Sequence, residues 1–332
     1  MSDLPELRAH ASYPVLAEIQ DAAQRLRGNV LETPVWRWQT GAVRQLDPAT
    51  EVWLKMELFQ ITGTFKLRGA LNSMARLDAG ARRRGVVAAS AGNHAMAVAY
   101  AARVAGVDAK LVMPAGASPA RVAACREWGA QVLLLPDVHA AFAHAQQLAA
   151  QEGRTVVHPF DGPLIAQGTG TVGLELMRQV AGLEAVVVPV GGGGLCAGIA
   201  AAVKQINPAC KVYGAEPAGA DAMTRSFEAG RPQVLERVDT IADSLGAPYA
   251  MDYSFGVCSR FVDDMVRVSD EAIREAMRML YRDMKLATEP ATAVSTAALL
   301  GPLRERLEGR KVALVLCGAN LDAARFAELL AA

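Results

Sequence analysis

The chain has 332 residues, 52% of them hydrophobic, and its 34 basic and 34 acidic side chains leave no formal net charge. That length suffices for one large or two modest domains with substantial cores, and the charge balance argues against a nucleic-acid or membrane-surface partner. No apolar run reaches membrane-span length, Asp3, Glu6, Glu18 and Asp21 fall where a signal core would lie, and five scattered cysteines (Cys125, Cys196, Cys210, Cys258, Cys317) without paired metal spacing imply reduced thiols in a cytoplasmic protein.

The predicted elements alternate between strand and helix. A strand over 52–56 precedes the turn Thr62-Gly63-Thr64-Phe65, which opens an apolar helix over 66–75. A strand over 86–89 runs through Ser90-Ala91-Gly92-Asn93-His94 into a helix over 95–102. Strands over 110–113, 131–135 and 155–158 are separated by helices over 119–128 and 140–151, and a helix over 173–180 follows. A strand over 185–190 runs through Gly191-Gly192-Gly193-Gly194 into a helix from 195 to 200. Strands over 211–215, 265–268 and 311–316 complete the pattern, with a helix over 270–286 before the last. Most of these strands are unbroken apolar runs, as expected where both faces of a parallel sheet are covered. The alternation predicts an α/β fold with right-handed crossovers. No internal repeat or low-complexity linker interrupts it, and the short run after Asn320 predicts no appended regulatory domain.

Three sites carry chemistry. Lys66 stands at the start of a helix, after a glycine-containing turn, where free amides and the positive helix end disfavour its ammonium form. A neutral lysine amine attacks carbonyls; the alternative for any single lysine is a solvated helix position. The Ser90–His94 and Gly191–Gly194 segments both read as strand, small-residue loop, helix, an arrangement that gathers amides around an anion. One cup suits a phosphate. The other, with a serine, an asparagine and a histidine, suits a carboxylate. The glycine run, with Glu216 roughly twenty residues on, also imitates a dinucleotide fingerprint. That would make a nucleotide-linked oxidoreductase, but leaves Lys66 and the Ser90 loop without a role.

A reactive lysine, a phosphate cup and a carboxylate cup are what a pyridoxal-phosphate enzyme acting on an amino acid requires. At these residues the chain resembles the fold-type II pyridoxal-phosphate enzymes, and within them the threonine/serine dehydratase and serine racemase branch. The resemblance runs from Thr33-Pro34 to Cys317-Gly318-Ala319-Asn320, through Gly63-Thr64-Phe65-Lys66-Leu67-Arg68-Gly69-Ala70, Ser90 to His94, Gly191 to Leu195, Ala215-Glu216-Pro217, Ile241-Ala242-Asp243 and Glu289-Pro290. It implies two open, mostly parallel twisted sheets with helices on both faces, as in the tryptophan synthase β-like fold. It also implies a small domain over 53–155 inserted into a larger cofactor-binding domain made of 1–52 and 156–332, with the site in the cleft between them.

The resemblance assigns residues as well. Lys66 is the Schiff-base and proton-transfer lysine, and Ser90 belongs to the catalytic loop. Phe65, Asn93, Gly191, Gly192, Gly193, Gly194, Leu195 and Cys317 surround pyridoxal 5'-phosphate; Ser90, Ala91, Gly92, Asn93 and His94 receive the substrate. For Phe65 and Cys317 ordinary core packing is an equal reading, and for His94 a structural role is the commoner one. The implied reaction is β-elimination from a β-hydroxy-α-amino acid, L-threonine, L-serine or a bulkier relative, to a 2-keto acid and ammonia. Racemases of this branch have a serine where this chain has Ala91, and alanine exchanges no proton, which favours elimination over racemisation; a β-replacement synthase is the remaining reading. Where the metal-dependent branch binds a divalent ion, Glu216 and the Ala220 carbonyl remain, but Ala222 lacks the family carboxylate, so weak binding or none is expected. Ser244 replaces the glycine usual after Ile-Ala-Asp, and Met96-Ala97 replaces the usual Gln-Gly. The implied partners are a small amino-acid substrate and a second copy in a cytoplasmic homodimer, with neither nucleic acid nor membrane.

Overall fold

Parallel pairing buries the apolar strands on both faces and leaves their carboxyl ends together. The computed structural model describes residues 12–332; Asp3 and Glu6 lie outside the described residues. The strands are β1 (Val35–Trp38), β2 (Glu51–Lys55), β3 (Val86–Ala89), β4 (Ala109–Pro114), β5 (Gln131–Leu135), β6 (Thr155–Val156), β7 (Ala185–Pro189), β8 (Lys211–Pro217), β9 (Asp264–Val268) and β10 (Lys311–Val315). They form a six-stranded sheet in the order β1-β2-β10-β7-β8-β9 and a four-stranded sheet in the order β5-β4-β3-β6. Among the described strands only β1 runs antiparallel to its neighbour, at the edge beside β2; β10 lies between β2 and β7, with Leu314 opposite both Leu54 and Val187.

The helices are α1 (Leu16–Leu26), α2 (Lys66–Ala75), α3 (Ala79–Arg84), α4 (Asn93–Ala105), α5 (Pro119–Glu127), α6 (Val138–Glu152) and α7 (Pro163–Gln179). They continue with α8 (Gly194–Ile206), α9 (Ala222–Ala229), α10 (Asp252–Phe261), α11 (Asp270–Met284), α12 (Pro290–Leu300), α13 (Arg304–Leu307) and α14 (Ala323–Ala331). The smaller sheet is covered on both faces: Val86, Ala88, Leu111 and Met113 enter one apolar cluster, and Val87, Ala89 and Val112 enter the other. This alternation explains why these strands read as continuous apolar runs.

The α/β expectation holds, with local differences. The strand expected over 155–158 stops at Val156, because His158-Pro159 turns the chain and proline has no amide to donate. The helix expected from 173 starts back at Pro163; Gly168, Gly170 and Gly173 lower its intrinsic propensity, but burial against α8 overrides that. The helix expected from 95 begins at Asn93, so Asn93 and His94 lie on its first turn rather than in the loop. The helix expected to 286 ends at Met284, because Lys285 takes a left-handed φ of 60°. Residues 53–55 belong to β2 in the larger sheet, whereas the smaller sheet is built from β3 to β6.

Candidate active site

The turn that opens α2 is pinned to the chain leaving β10. Phe65 N donates to Cys317 O at 3.1 Å and Ala319 N to Gly63 O at 3.0 Å. Residues far apart in sequence are thus brought side by side, and Lys66 faces Cys317. Lys66 Nζ donates to Pro159 O at 2.6 Å and stands 5.0 Å from the Phe65 ring centre. Burial lowers its pKa to about 8, against the influence of Cys317 and Glu289. Burial also pushes the Cys317 thiol up to about 12; it contacts Thr292 Oγ1 at 3.4 Å. Both groups are therefore biased toward neutrality.

The segment leaving β6 shapes the opposite wall. Burial drops the His158 pKa to about 4, and its Nδ1 accepts from the amides of Phe160 at 3.2 Å and Asp161 at 2.9 Å. That turn aims the Pro159 carbonyl at Lys66 and lays Phe160 against the tetraglycine loop. A Cβ on Gly192 would lie 2.2 Å from the Phe160 ring, one on Gly194 would lie 2.1 Å from the Phe160 carbonyl oxygen, and Gly193 has φ +89°. Larger residues do not fit this loop without displacing Phe160. α8 starts at Gly194, with Leu195 buried in its first turn, where the first amides lack intrahelical acceptors and attract an anion.

Glu216 is not poised for a ribose. Its carboxylate accepts from Met223 N at 3.0 Å, Thr224 N at 2.7 Å and Thr224 Oγ1 at 2.5 Å. It closes the N-terminus of α9, which removes the acidic partner that the dinucleotide reading needs. Ala220 and Ala222 lie beside it, both buried.

The Ser90 loop forms the other cup. Ser90 Oγ accepts from Gly92 N at 3.2 Å, while Ala91 is exposed to the cavity. Asn93 Nδ2 donates to Glu289 Oε1 at 2.8 Å, and Asn93 Oδ1 accepts from Asn320 Nδ2 at 2.7 Å. His94 takes the structural role, the commoner reading for it, at the edge of the same cavity. Its Nε2 bonds Val157 O at 2.8 Å and burial drops its pKa to about 3, so the ring ties α4 to the chain beyond β6. Arg121, from α5, packs on Gly92, donates to Asn320 O and pairs with Asp243 at 3.7 Å.

Behind α2 lies a buried ionic network. Arg68 donates from Nε and Nη2 to the two oxygens of Glu57, each at 2.8 Å, and from Nη1 and Nη2 to Glu175 at 2.6 and 2.8 Å. Lys55 Nζ bonds Glu175 Oε2 at 2.6 Å and Thr33 O at 2.8 Å. Burial opposes charge at Glu57, but Arg68 holds its carboxyl below the usual range. Two cations meet two anions here, and the ion pairs join β2, α2 and α7.

A cavity of about 610 Å³ contains Lys66, both cups and Cys317. Its wall also carries Thr64, whose buried Oγ1 has no hydrogen-bond partner among the described residues, together with the first-turn amides of α8. The amine, the anion cup, the neutral thiol and the unpartnered hydroxyl fit pyridoxal phosphate in their charge and donor chemistry. Such a lysine between two helix-terminal cups, at the carboxyl ends of open parallel strands, defines the fold-type II class of pyridoxal-phosphate enzymes.

The chain belongs to the pyridoxal-phosphate dependent enzyme family, whose model matches residues 26–318, and within it to the threonine/serine dehydratase branch. It is 49% identical to a phenylserine dehydratase of Ralstonia pickettii, over 95% of this chain and 96% of that one. It is 37% identical to a catabolic L-threonine dehydratase of Escherichia coli, over 96% of this chain and 98% of that one. The solved structure of maize serine racemase superposes with a TM-score of 0.89 at 34% identity, covering 96% of this chain and 97% of that one. Among the described residues no helix is long and apolar enough to cross a membrane.

Proposed function

We propose that this chain is a pyridoxal-phosphate-dependent ammonia-lyase that converts a β-hydroxy-α-amino acid to a 2-keto acid and ammonia, with a preference for a bulky apolar group on Cβ. The observation that carries the reaction class is the Lys66 amine, lowered to a pKa of about 8, in one cavity with two anion cups. The preference rests on the Leu235, Phe160 and Tyr249 side chains that line the same cavity, and on the 49% identity to a phenylserine dehydratase.

Bound pyridoxal phosphate supplies an electron sink that makes the α-proton of an amino acid acidic. The first-turn amides of α8 hold the phosphate, and the amides of the Ser90–Asn93 loop hold the substrate carboxylate. The neutral Cys317 thiol brings no carboxylate charge to the ring nitrogen. Lys66 Nζ, whose lowered pKa brings its unprotonated form within reach near neutral pH, takes the α-proton. Ala91 offers no proton from the facing loop, so proton exchange stays one-sided. The proton taken by Lys66 leaves with the β-hydroxyl as water, giving an enamine, which gains a proton at Cβ, loses one from nitrogen and is hydrolysed as the imine to the keto acid and ammonia. The same proposal includes a cytoplasmic homodimer and an inserted unit built on the smaller sheet.

Borohydride reduction followed by peptide mapping should place the cofactor on Lys66, and Lys66→Ala should abolish both the label and turnover, a loss of about 1,000-fold or more. Keto-acid release should show a higher kcat/KM with a 3-aryl-serine than with L-serine. Solvent deuterium exchange with accumulating D-amino acid and little keto acid would favour the racemase instead.

A further inference from the structure

Ser244 closes a ring of hydrogen bonds at the cavity wall. It lies in the short 3₁₀ turn Asp243–Leu245. Its hydroxyl donates to Glu289 Oε2 at 2.7 Å and accepts from Asn93 Nδ2 at 3.4 Å, while Asn93 Nδ2 also donates to Glu289 Oε1 at 2.8 Å. Glu289 is 1% exposed. It stands at the N-cap of α12, yet its carboxylate makes no cap hydrogen bond and faces the cavity instead. On the far side, Asn320 Nδ2 donates to Asn93 Oδ1 at 2.7 Å and to Thr62 O at 2.8 Å. The Asn93 amide is therefore held at both ends. The same turn supports the phosphate cup, since a Cβ on Gly191 would lie 2.9 Å from Leu245 Cα.

We propose that Ser244 is a positioning residue whose hydroxyl locks Glu289 and the Asn93 amide into one arrangement, and so sets the charge and the donor presented to the cofactor ring; this rests on the cofactor reading given above. The resembling family usually carries glycine here, which supplies no hydroxyl. Without it, one oxygen of a buried carboxylate loses its donor, and the Asn93 amide loses one of its two acceptors. Burial already moves Glu289 toward its neutral form, and the bonds from Ser244 and Asn93 oppose that shift. Asp243 acts in the same direction as burial, Arg121 acts against it, and Lys66 and Cys317 lie within electrostatic reach of the carboxylate. Loss of the Ser244 donor moves the protonation of Glu289 to higher pH.

The test uses the holoenzyme with Ser244→Ala, Ser244→Gly and Ser244→Thr, each alone and with Glu289→Gln. Glycine is the residue usual in the family, so that variant provides a fold-compatible control. Two quantities are read: the dissociation constant for pyridoxal phosphate by equilibrium dialysis, and the pH midpoint of the visible absorbance of the bound cofactor. Ser244→Ala and Ser244→Gly should raise the dissociation constant about fivefold to tenfold and move the midpoint up by about one unit, the effect of one hydrogen bond to a charged group. Ser244→Thr should restore both, and the midpoint shift should vanish in the Glu289→Gln background. Unchanged values in the alanine and glycine variants, failure of threonine to restore them, or a midpoint shift that persists with Glu289→Gln would overturn the proposal. A wild-type protein that never acquires the cofactor on Lys66 would overturn the cofactor reading itself, and this proposal with it.

Discussion

Lys66 Nζ reaches from the first turn of α2 to the main-chain oxygen of Pro159, 2.6 Å away. That contact holds the amine in a buried position, where its pKa falls to about 8. Capture of pyridoxal phosphate by the cofactor-free protein needs the unprotonated amine. Its rate should rise about tenfold per unit below pH 8 and level off above it. Stopped-flow growth of visible absorbance measures this, and a rate flat from about pH 6 to about pH 9 would contradict the assignment.

Gly192 is held against Phe160 by a separation too small for a methyl group. Gly192→Ala should weaken cofactor binding at least about tenfold, by displacing the loop that offers its amides. Adding Phe160→Ala should recover part of that loss, because the two positions share one contact. Equilibrium dialysis of the single and double variants decides it.

Arg68 should matter for stability through charge compensation. Arg68→Met leaves Glu57 and Glu175 without their guanidinium partner in a buried setting, and should cost about 3–5 kcal/mol. Urea unfolding of wild type and variant provides the difference; a loss below about 1 kcal/mol, the range of exposed ion pairs, would show that water reaches the network.

Glu216 should impose a pH dependence of its own. Burial raises its pKa from 4.5 to about 7, with the Thr224 and Met223 donors opposing the shift. Between those values the folded protein keeps a proton that the unfolded chain releases. The stability contributed by this group is complete below about pH 4.5 and falls as pH rises toward 7, by roughly 3 kcal/mol in all. The stability difference between wild type and Glu216→Gln, followed by urea unfolding across that window, should decline with rising pH.

Both Glu216 oxygens are already engaged by α9. Chelator treatment should therefore leave keto-acid release unchanged, whereas Ala222→Asp should introduce a response to Mg²⁺ or Ca²⁺. A large loss that added divalent ion reverses would place Glu216 and Ala220 in a metal site after all.

Much of the site was legible because its chemistry is carried by short contiguous segments. Lys66 at a helix start and the tetraglycine after a strand are local signals, and the structure brings them to one cavity with Ser90 and Asn93. His94 is open to two readings by residue type, a structural anchor or a substrate contact, and its bond to Val157, a partner 63 residues away, is something only the tertiary structure supplies. The edge strand β1 carries no such local signal, because Val-Trp-Arg-Trp has no long apolar run, and the first half of α7 is hidden by glycines that weaken local propensity.

The sequence by itself determined the strand–helix alternation and the family motifs around Lys66, Ser90 and the tetraglycine, because periodicity and turn chemistry act over a few residues. Only the tertiary structure decided what those residues face. It set Pro159 against Lys66, joined Asn93 to Glu289 and Ser244, turned Glu216 onto α9, and paired Arg68 with Glu57 and Glu175. Burial, hydrogen-bond partners and the resulting pKa values depend on neighbours brought together from distant elements, and no local pattern encodes them.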